Sequence, residues 1–287
     1  MFIINPKAGG LRHKDKLDTF HKLIRSNFSD AKFLLIDDNN MHLISSENLQ
    51  QYNAVVACGG DGTIQMTAEK IMGTSTPLGI IPMGSGNDFV KSAGISRRPE
   101  RALKQLLKSN PQPVDVIQYE TNTIKRICIN TLGIGFDGLV NYLRTQNNKK
   151  GYIGPVLKAA FSQRSFYADL KIDGKSVNKH FLMITLANGH TEGGNFKLVT
   201  NSSISDGYFE LITIEPLSKP GLLLRLPLFL FGLQHYSKKI KTIKAKSVEI
   251  VHQKPVYAHV DGEQLGQIRS LNAEILPGKL QLLIPNE

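Results

Sequence analysis

Short apolar runs separated by stretches of helical spacing fill the N-terminal part of the chain. Phe2-Ile3-Ile4 reads as a strand closed by the turn-forming cluster Asn5-Pro6-Lys7-Ala8-Gly9-Gly10. Leu17, Phe20, Leu23 and Ile24 then recur at the spacing of one helix face, and residues 32–36 give a second strand. Residues 41–49 read as helical. The run 52–57 reads as a buried strand that enters Cys58-Gly59-Gly60-Asp61-Gly62-Thr63, with a helix from Thr63 onward. Residues 77–82 form a fourth strand, closed by Met83-Gly84-Ser85-Gly86-Asn87-Asp88-Phe89, and residues 101–107 another helix. Strands alternating with helices predict a parallel sheet covered on both faces, with ligands at the carboxyl ends of its strands. The three loops of small residues all follow strands, so all three fall on that one edge.

The texture changes after Pro111-Gln112-Pro113. Strand-like segments now dominate, at 114–119, 126–130, 168–172, 181–187, 208–214, 247–251, 256–261 and 280–284. Turn signals such as Asp173-Gly174, Asp206-Gly207 and Asp261-Gly262 separate them, and helical patches interrupt near 139–144 and 156–161. The pattern predicts an α/β domain over residues 1–113 and an antiparallel β-sandwich-like domain over 114–287, the last residues packing back on the first domain.

Composition fits an ordinary globular protein, with 41% hydrophobic residues among 287. Cys58 and Cys128 both lie in apolar runs, which predicts buried thiols rather than a disulfide, and no Cys/His group has zinc spacing. Met1 leads straight into an apolar strand without the marks of a secretory leader. The longest apolar stretch, 222–233, contains Arg225 and Pro227 and is too short to span a bilayer. Together these predict a cytoplasmic protein.

Charge narrows the partners. Lys and Arg number 35 against 24 Asp and Glu, a formal charge of +11 that favours an anionic partner. Residues 219–246 carry Lys219, Arg225, Lys238, Lys239, Lys241, Lys244 and Lys246 without an acid, around the apolar run 222–231. Residues 138–168 carry Arg144, Lys149, Lys150, Lys158 and Arg164, again without an acid. Such patches suit an interfacial protein on an anionic membrane, or equally a core helix beside a solvated basic strand. Nucleic acid is disfavoured, because the aromatics do not interleave with the basic residues.

The glycine loop carries the chemistry. Gly59, Gly60 and Gly62 free the backbone to approach a ligand, and the following helix would point its N–H groups at a phosphate. Asp61 would repel that phosphate unless a divalent cation or a transferable proton lay between them. The hexamer Gly133-Ile134-Gly135-Phe136-Asp137-Gly138 also matches a dinucleotide-binding pattern. It lacks the acid that pattern needs about 20 residues later, and the strands around it look antiparallel, so the match reads as accidental.

Taken with Gly84-Ser85-Gly86-Asn87-Asp88-Phe89 and Val260-Asp261-Gly262-Glu263, this loop resembles the diacylglycerol kinase catalytic family, specifically its soluble bacterial-type lipid kinases. Asn5-Pro6-Lys7-Ala8-Gly9, Asn130 with Gly133, Gly135 and Asp137, and Asn188-Gly189 with Gly193-Gly194 and Ser205-Asp206-Gly207 add to the likeness in order. The resemblance implies two domains flanking an ATP cleft and an enzyme that phosphorylates a lipid hydroxyl, diacylglycerol first, in phospholipid biosynthesis. It implies ATP and Mg2+ as cofactors; the two basic apolar patches add an expectation of peripheral association with the inner membrane face, beside a possible homodimer.

By the same resemblance Asn5, Gly59, Gly60, Asp61, Gly62, Thr63, Ile64, Gln65, Gly84, Ser85 and Asn87 would bind the nucleotide. Asp61 would hold its phosphates through magnesium, and Glu263 would be the general base. Ser203, Asp206 and Tyr208 would hold a structural magnesium. Many relatives carry Asn-Glu where this chain has Gln65-Met66. Other readings are a kinase of a sphingoid base, of phosphatidylglycerol or of NAD, or a regulator that binds nucleotide or lipid without turnover.

Overall fold

The computed structural model describes residues 1–8, 14–36, 44–146, 153–162, 164–193, 196–200 and 202–286. The chain forms two compact units, Met1–Val114 with Pro277–Glu287, and Asp115–Leu276.

The first unit runs β1 (Phe2–Ile4), α1 (Lys14–Arg25), β2 (Phe33–Leu35), α2 (Ser46–Gln50), β3 (Val55–Gly59), α3 (Asp61–Ile71), β4 (Leu78–Pro82), α4 (Phe89–Ser92) and α5 (Pro99–Leu106). Its sheet has the order β2-β1-β3-β4, all parallel. Every residue of β1, β3 and β4 is buried, which explains why these strands are continuous apolar runs rather than alternating ones. Phe20 and Ile24 of α1, and Leu103 and Leu106 of α5, close the core around Phe2, Ile4, Val56 and Ile81.

The register sets the functional edge. Ile4 lies beside Cys58, and Gly59 beside Pro82, so the three strands end level with one another. Asn5 N–H donates to Cys58 O (3.0 Å) and Met83 N–H to Gly59 O (2.7 Å), carrying the pairing one residue beyond each strand. The helix expected from Thr63 starts earlier, at Asp61, because only Gly60 is needed as the extended residue ahead of it. Of the stretch 41–49, residues 41–43 lie outside the described residues. A helix does follow there, but it is α2, capped by Ser45 accepting from Asn48 N–H.

Chain order continues through β5 (Ser109–Glu120), β6 (Lys125–Cys128), β7 (Thr131–Gly135), α6 (Phe136–Gln146), α7 (Ile153–Ser162), β8 (Phe166–Ile172), β9 (Lys175–Phe181) and β10 (Met183–Ala187). Then come β11 (Thr191–Glu192), β12 (Phe196–Lys197), β13 (Phe209–Ile214), α8 (Lys219–Phe231), β14 (Ile240–Ala245), β15 (Ser247–Val260) and β16 (Glu263–Pro285). In the second unit β14, β13, β10, β7, β15 and β16 pair antiparallel in that order, and the β8–β9 hairpin pairs with β15. Side chains alternate across this sheet. On β10, Ile184 and Leu186 enter a core with Leu132, Leu211 and Ala258, while Met183 and Ala187 enter another under α6, α7 and α8.

Three strand expectations change. The segment 181–187 breaks at Leu182, whose N–H donates to Ile214 O while its carbonyl accepts from Phe136 N–H. Segments 247–251 and 256–261 are a single strand, β15, with an irregularity between Val251 and Val256. The segment 280–284 is the end of the much longer β16. The apolar run 222–233 is mostly α8, which buries Leu222 and Phe229, and no helix among the described residues is long and apolar enough to cross a membrane.

Candidate active site

In the first unit the glycine loops meet backbone to backbone. A Cβ on Gly84 would lie 2.6 Å from the Cα of Gly60, and a Cβ on Gly86 would lie 2.8 Å from Asp61 Oδ2. Bare glycine is what lets these loops touch. Asp61 then latches them: Oδ2 accepts from Asn87 N–H and Oδ1 from Asp88 N–H, each at 2.9 Å. Asn87 takes a left-handed φ of 49° and closes its own loop by exchanging hydrogen bonds with the backbone of Gly84 (2.9 and 2.7 Å). Asn5 Nδ2 reaches Thr63 Oγ1 at 3.4 Å, tying the first loop to the helix.

Thus Asn5, Gly59, Gly60, Asp61, Gly62, Thr63, Gly84, Ser85 and Asn87 gather at one sheet edge, where α3 starts with no side chain capping its N–H groups. Ile64 and Gln65 are buried one turn inside α3. Gly9 and Gly10 of the first loop lie outside the described residues. Uncapped N–H groups and the positive end of the dipole suit phosphate. The carboxylates at this edge are Asp61, whose oxygens accept from Asn87 and Asp88 N–H, and Asp88, in ion pair with Lys91 (3.0 Å); oxygen is the donor that a hard cation prefers.

In the second unit Glu263 sits at the start of β16, exposed, just after a two-residue hairpin turn. Asp261 and Gly262 hold φ values of 50° and 83°, the doubly left-handed turn that tight hairpins favour. Asp261 is buried and accepts from the N–H groups of Ile129, Asn130 and Thr131 at 2.9–3.0 Å and from Cys128 Sγ. Burial pushes its carboxyl up against the pull of those bonds. Asn141 Nδ2 (2.8 Å) and Arg144 Nη2 (3.2 Å) donate to Gly262 O from α6. The turn that presents Glu263 is therefore fixed from both sides.

The third group was expected to hold a structural magnesium through the Asp206 carboxylate with the backbone carbonyls of Ser203 and Tyr208, and that carboxylate has protein partners. Asp206 Oδ1 accepts from Tyr208 N–H (3.1 Å) and Oδ2 from Lys244 Nζ (2.5 Å), while Ser203 Oγ faces Ser205. The Lys244 ammonium thus lies directly against the Asp206 carboxylate. Burial and the neighbouring Asp206 charge push Glu210 up to about 7, so this corner is acidic and Lys244 balances it. The melting temperature of the wild-type protein should be unchanged by millimolar Mg2+ or by a chelator, and Lys244→Met should acquire a Mg2+-dependent rise. A wild-type protein that already melts higher with Mg2+ would show that the metal displaces Lys244.

A further polar group escaped the sequence reading. His259 is fully buried on β15, with Nε2 3.0 Å from Glu192 Oε1 and 3.3 Å from Asp137 Oδ2. Burial opposes its charge, but Glu192 and Asp137 outweigh burial and hold its pKa well above the ordinary value. Gly133 makes the contact possible, since a Cβ there would strike both Asp137 and His259. Gly138 lets α6 lie against the backbone of Tyr257 and Ala258. The hexamer that imitates a dinucleotide site is thus a packing motif, and β7 is flanked only by antiparallel partners.

The family described as Diacylglycerol kinase catalytic domain matches residues 1–119, and the YegS C-terminal NAD kinase beta sandwich-like domain matches residues 133–284. A Xanthomonas euvesicatoria protein named YegS-like lipid kinase is 28% identical over 258 residues, covering 82% of this chain and 80% of its own. A Mycobacterium tuberculosis diacylglycerol kinase is 26% identical, covering 85% and 81%. A solved Bacillus anthracis diacylglycerol kinase superposes with a TM-score of 0.76 at 22% identity, covering 99% of this chain and 95% of that one. An Archaeoglobus fulgidus NAD kinase in complex with ATP shares the fold at a TM-score of 0.57 and 14% identity, covering 99% and 93%.

Proposed function

We propose that this chain, which belongs to the family joining a diacylglycerol kinase catalytic domain to a YegS-type C-terminal domain, transfers the γ-phosphoryl group of ATP to a lipid hydroxyl. Diacylglycerol is the first candidate. The observation that carries this reading is the latch of Asp61 across two glycine loops at the open N-terminus of α3.

In the reaction, backbone N–H groups of α3 and of the loops cradle the phosphates, and Asp61 keeps the loops in register for them. Magnesium, when bound, neutralises charge on the phosphates. Glu263 accepts the proton of the lipid hydroxyl while that oxygen forms its bond to the γ-phosphorus. The bond from the γ-phosphorus to the bridging oxygen breaks, and ADP leaves with the electron pair. Little covalent chemistry falls to the protein, so positioning and charge do most of the catalysis. A coupled assay for ADP tests the reading: diacylglycerol micelles should raise ADP release well above background. Stimulation by NAD instead of lipid would replace it.

Such an enzyme works at a membrane surface. α7 exposes Ile153, Leu157 and Phe161, α8 exposes Leu224, Leu230 and Phe231, and Lys219 lies over the Phe161 ring. Lys158 and Arg164 add positive charge, whereas Lys149 and Lys150 lie outside the described residues. Apolar insertion and attraction to anionic headgroups then reinforce each other. The protein should sediment more tightly with vesicles containing anionic lipid than with neutral ones, and less so as salt rises. Equal sedimentation with both would remove the membrane face from the proposal.

A further inference from the structure

One side of α6 is polar while the rest of the helix packs into the core. Phe136, Val140 and Leu143 join the cluster that α7 and α8 complete. Asp137, Asn141 and Thr145 recur every four residues, so they stand one above another along a single side.

Each of the three meets a successive point of the hairpin that presents Glu263. Asp137 Oδ2 lies 3.3 Å from His259 Nε2. Asn141 Nδ2 donates to Gly262 O at 2.8 Å, and Arg144 Nη2 reaches the same carbonyl at 3.2 Å. Thr145 Oγ1 accepts from Gln264 Nε2. The stacked rings of Tyr142 and Tyr257, 4.3 Å apart, pin the helix beside β15. The residues before and after Glu263 are thus both held from α6.

Two features of the hairpin make this hold matter. The pairing of β15 with β16 slips by one residue between Ala258 and His259, and Gly266 takes a left-handed φ of 76°. A bulge bends its strand and raises the local twist, so the ladder alone does not fix the direction of the tip. The second feature is the peptide plane. Gly262 O shares one rigid plane with the N and Cα of Glu263, so a donor on that oxygen sets where the Glu263 side chain leaves the backbone.

Resting on the lipid-kinase reading, in which Glu263 takes the proton of the lipid hydroxyl, we propose that Asn141 and Thr145 are positioning residues for that base. They act on Glu263 through its two neighbours. Turnover depends on the aim they give the carboxylate, and nucleotide binding does not.

Transfer of labelled γ-phosphate to dispersed diacylglycerol tests this in two backgrounds, with a melting curve on each variant. Asn141→Leu keeps the bulk of the side chain and leaves Arg144 on Gly262 O, so the chain should still fold. Its kcat should fall about 10-fold, because a small misplacement of a reacting group is costly. Thr145→Val, at the exposed end of α6, should lose about threefold for one hydrogen bond, and Thr145→Ser should recover it. ATP affinity should stay at the wild-type value in all three. In the Glu263→Gln background, adding Asn141→Leu or Thr145→Val should cost less than about twofold, since residues that act through one group are not additive. Equal losses in both backgrounds would show a general structural role and overturn the proposal, as would wild-type kcat in both Asn141→Leu and Thr145→Val. Either result leaves the kinase reading standing. A wild-type chain that labels no lipid would end that reading and leave α6 no base to position.

Discussion

Asp61→Asn is expected to lower lipid phosphorylation by about 10²–10³-fold, the scale at which a single preorganised electrostatic group acts. The side chain keeps its shape but loses an acceptor. Both carboxylate oxygens now receive backbone N–H groups, from Asn87 and Asp88. An amide can accept only one of them and turns its NH2 toward the other, so a donor faces a donor. Leaving one such bond unmade costs about 1–3 kcal/mol. For a chain of this size that is a fall in melting temperature of roughly 2–12 °C. The loops then separate and the phosphate cradle loses its register, so ATP affinity should fall together with turnover. Titration with ATP and a melting curve on the same variant check both parts. A variant that binds ATP and turns over as wild type would show that the latch is not part of the site.

Glu263→Gln should behave differently. Glu263 is exposed at the head of β16, after a turn that hydrogen bonds of Asp261, Asn141 and Arg144 hold, and Gln keeps the shape of its side chain. Melting temperature and ATP affinity should therefore stay at wild-type values. Turnover should fall by about 10²–10⁴-fold, the range that a positioned proton acceptor contributes. The signature is this split between lost kcat and unchanged binding. Glu263→Asp, which keeps the carboxylate one methylene short, should recover part of the loss. If Glu263→Gln phosphorylates lipid at the wild-type rate, the proton leaves by another route.

The first unit was legible because its signals are local. Phe2-Ile3-Ile4, Val55 to Gly59 and Leu78 to Pro82 are buried on both faces and end in small residues, so strand, loop and edge can be read from neighbouring positions. What Asp61 does there was not local. Its partners lie 26 and 27 residues away, and proximity comes only from the parallel register of β3 and β4. The antiparallel second unit was legible in class, yet Leu182 looked like mid-strand because its apolar side chain hides a carbonyl turned aside to Phe136.

Asp137, Glu192 and His259 had no signal at all as a group. The pairing of Gly133 with both Thr185 and His259 makes β7, β10 and β15 neighbours, and only that topology assembles them. The glycine hexamer was the visible trace of the group, since its glycines make room for Asp137, His259 and the backbone of β15. Asp206 shows the opposite case. The loop matched a metal motif in sequence, while Lys244, 38 residues on, brings the charge that the motif expects from an ion.

The most direct test of the central claim is transfer of labelled γ-phosphate from ATP, with magnesium, into a mixed lipid extract, followed by identification of the labelled product. The account predicts label in a phosphorylated lipid, phosphatidic acid foremost, and its loss in Glu263→Gln. Label in no lipid, from a protein that still binds the nucleotide, would contradict it.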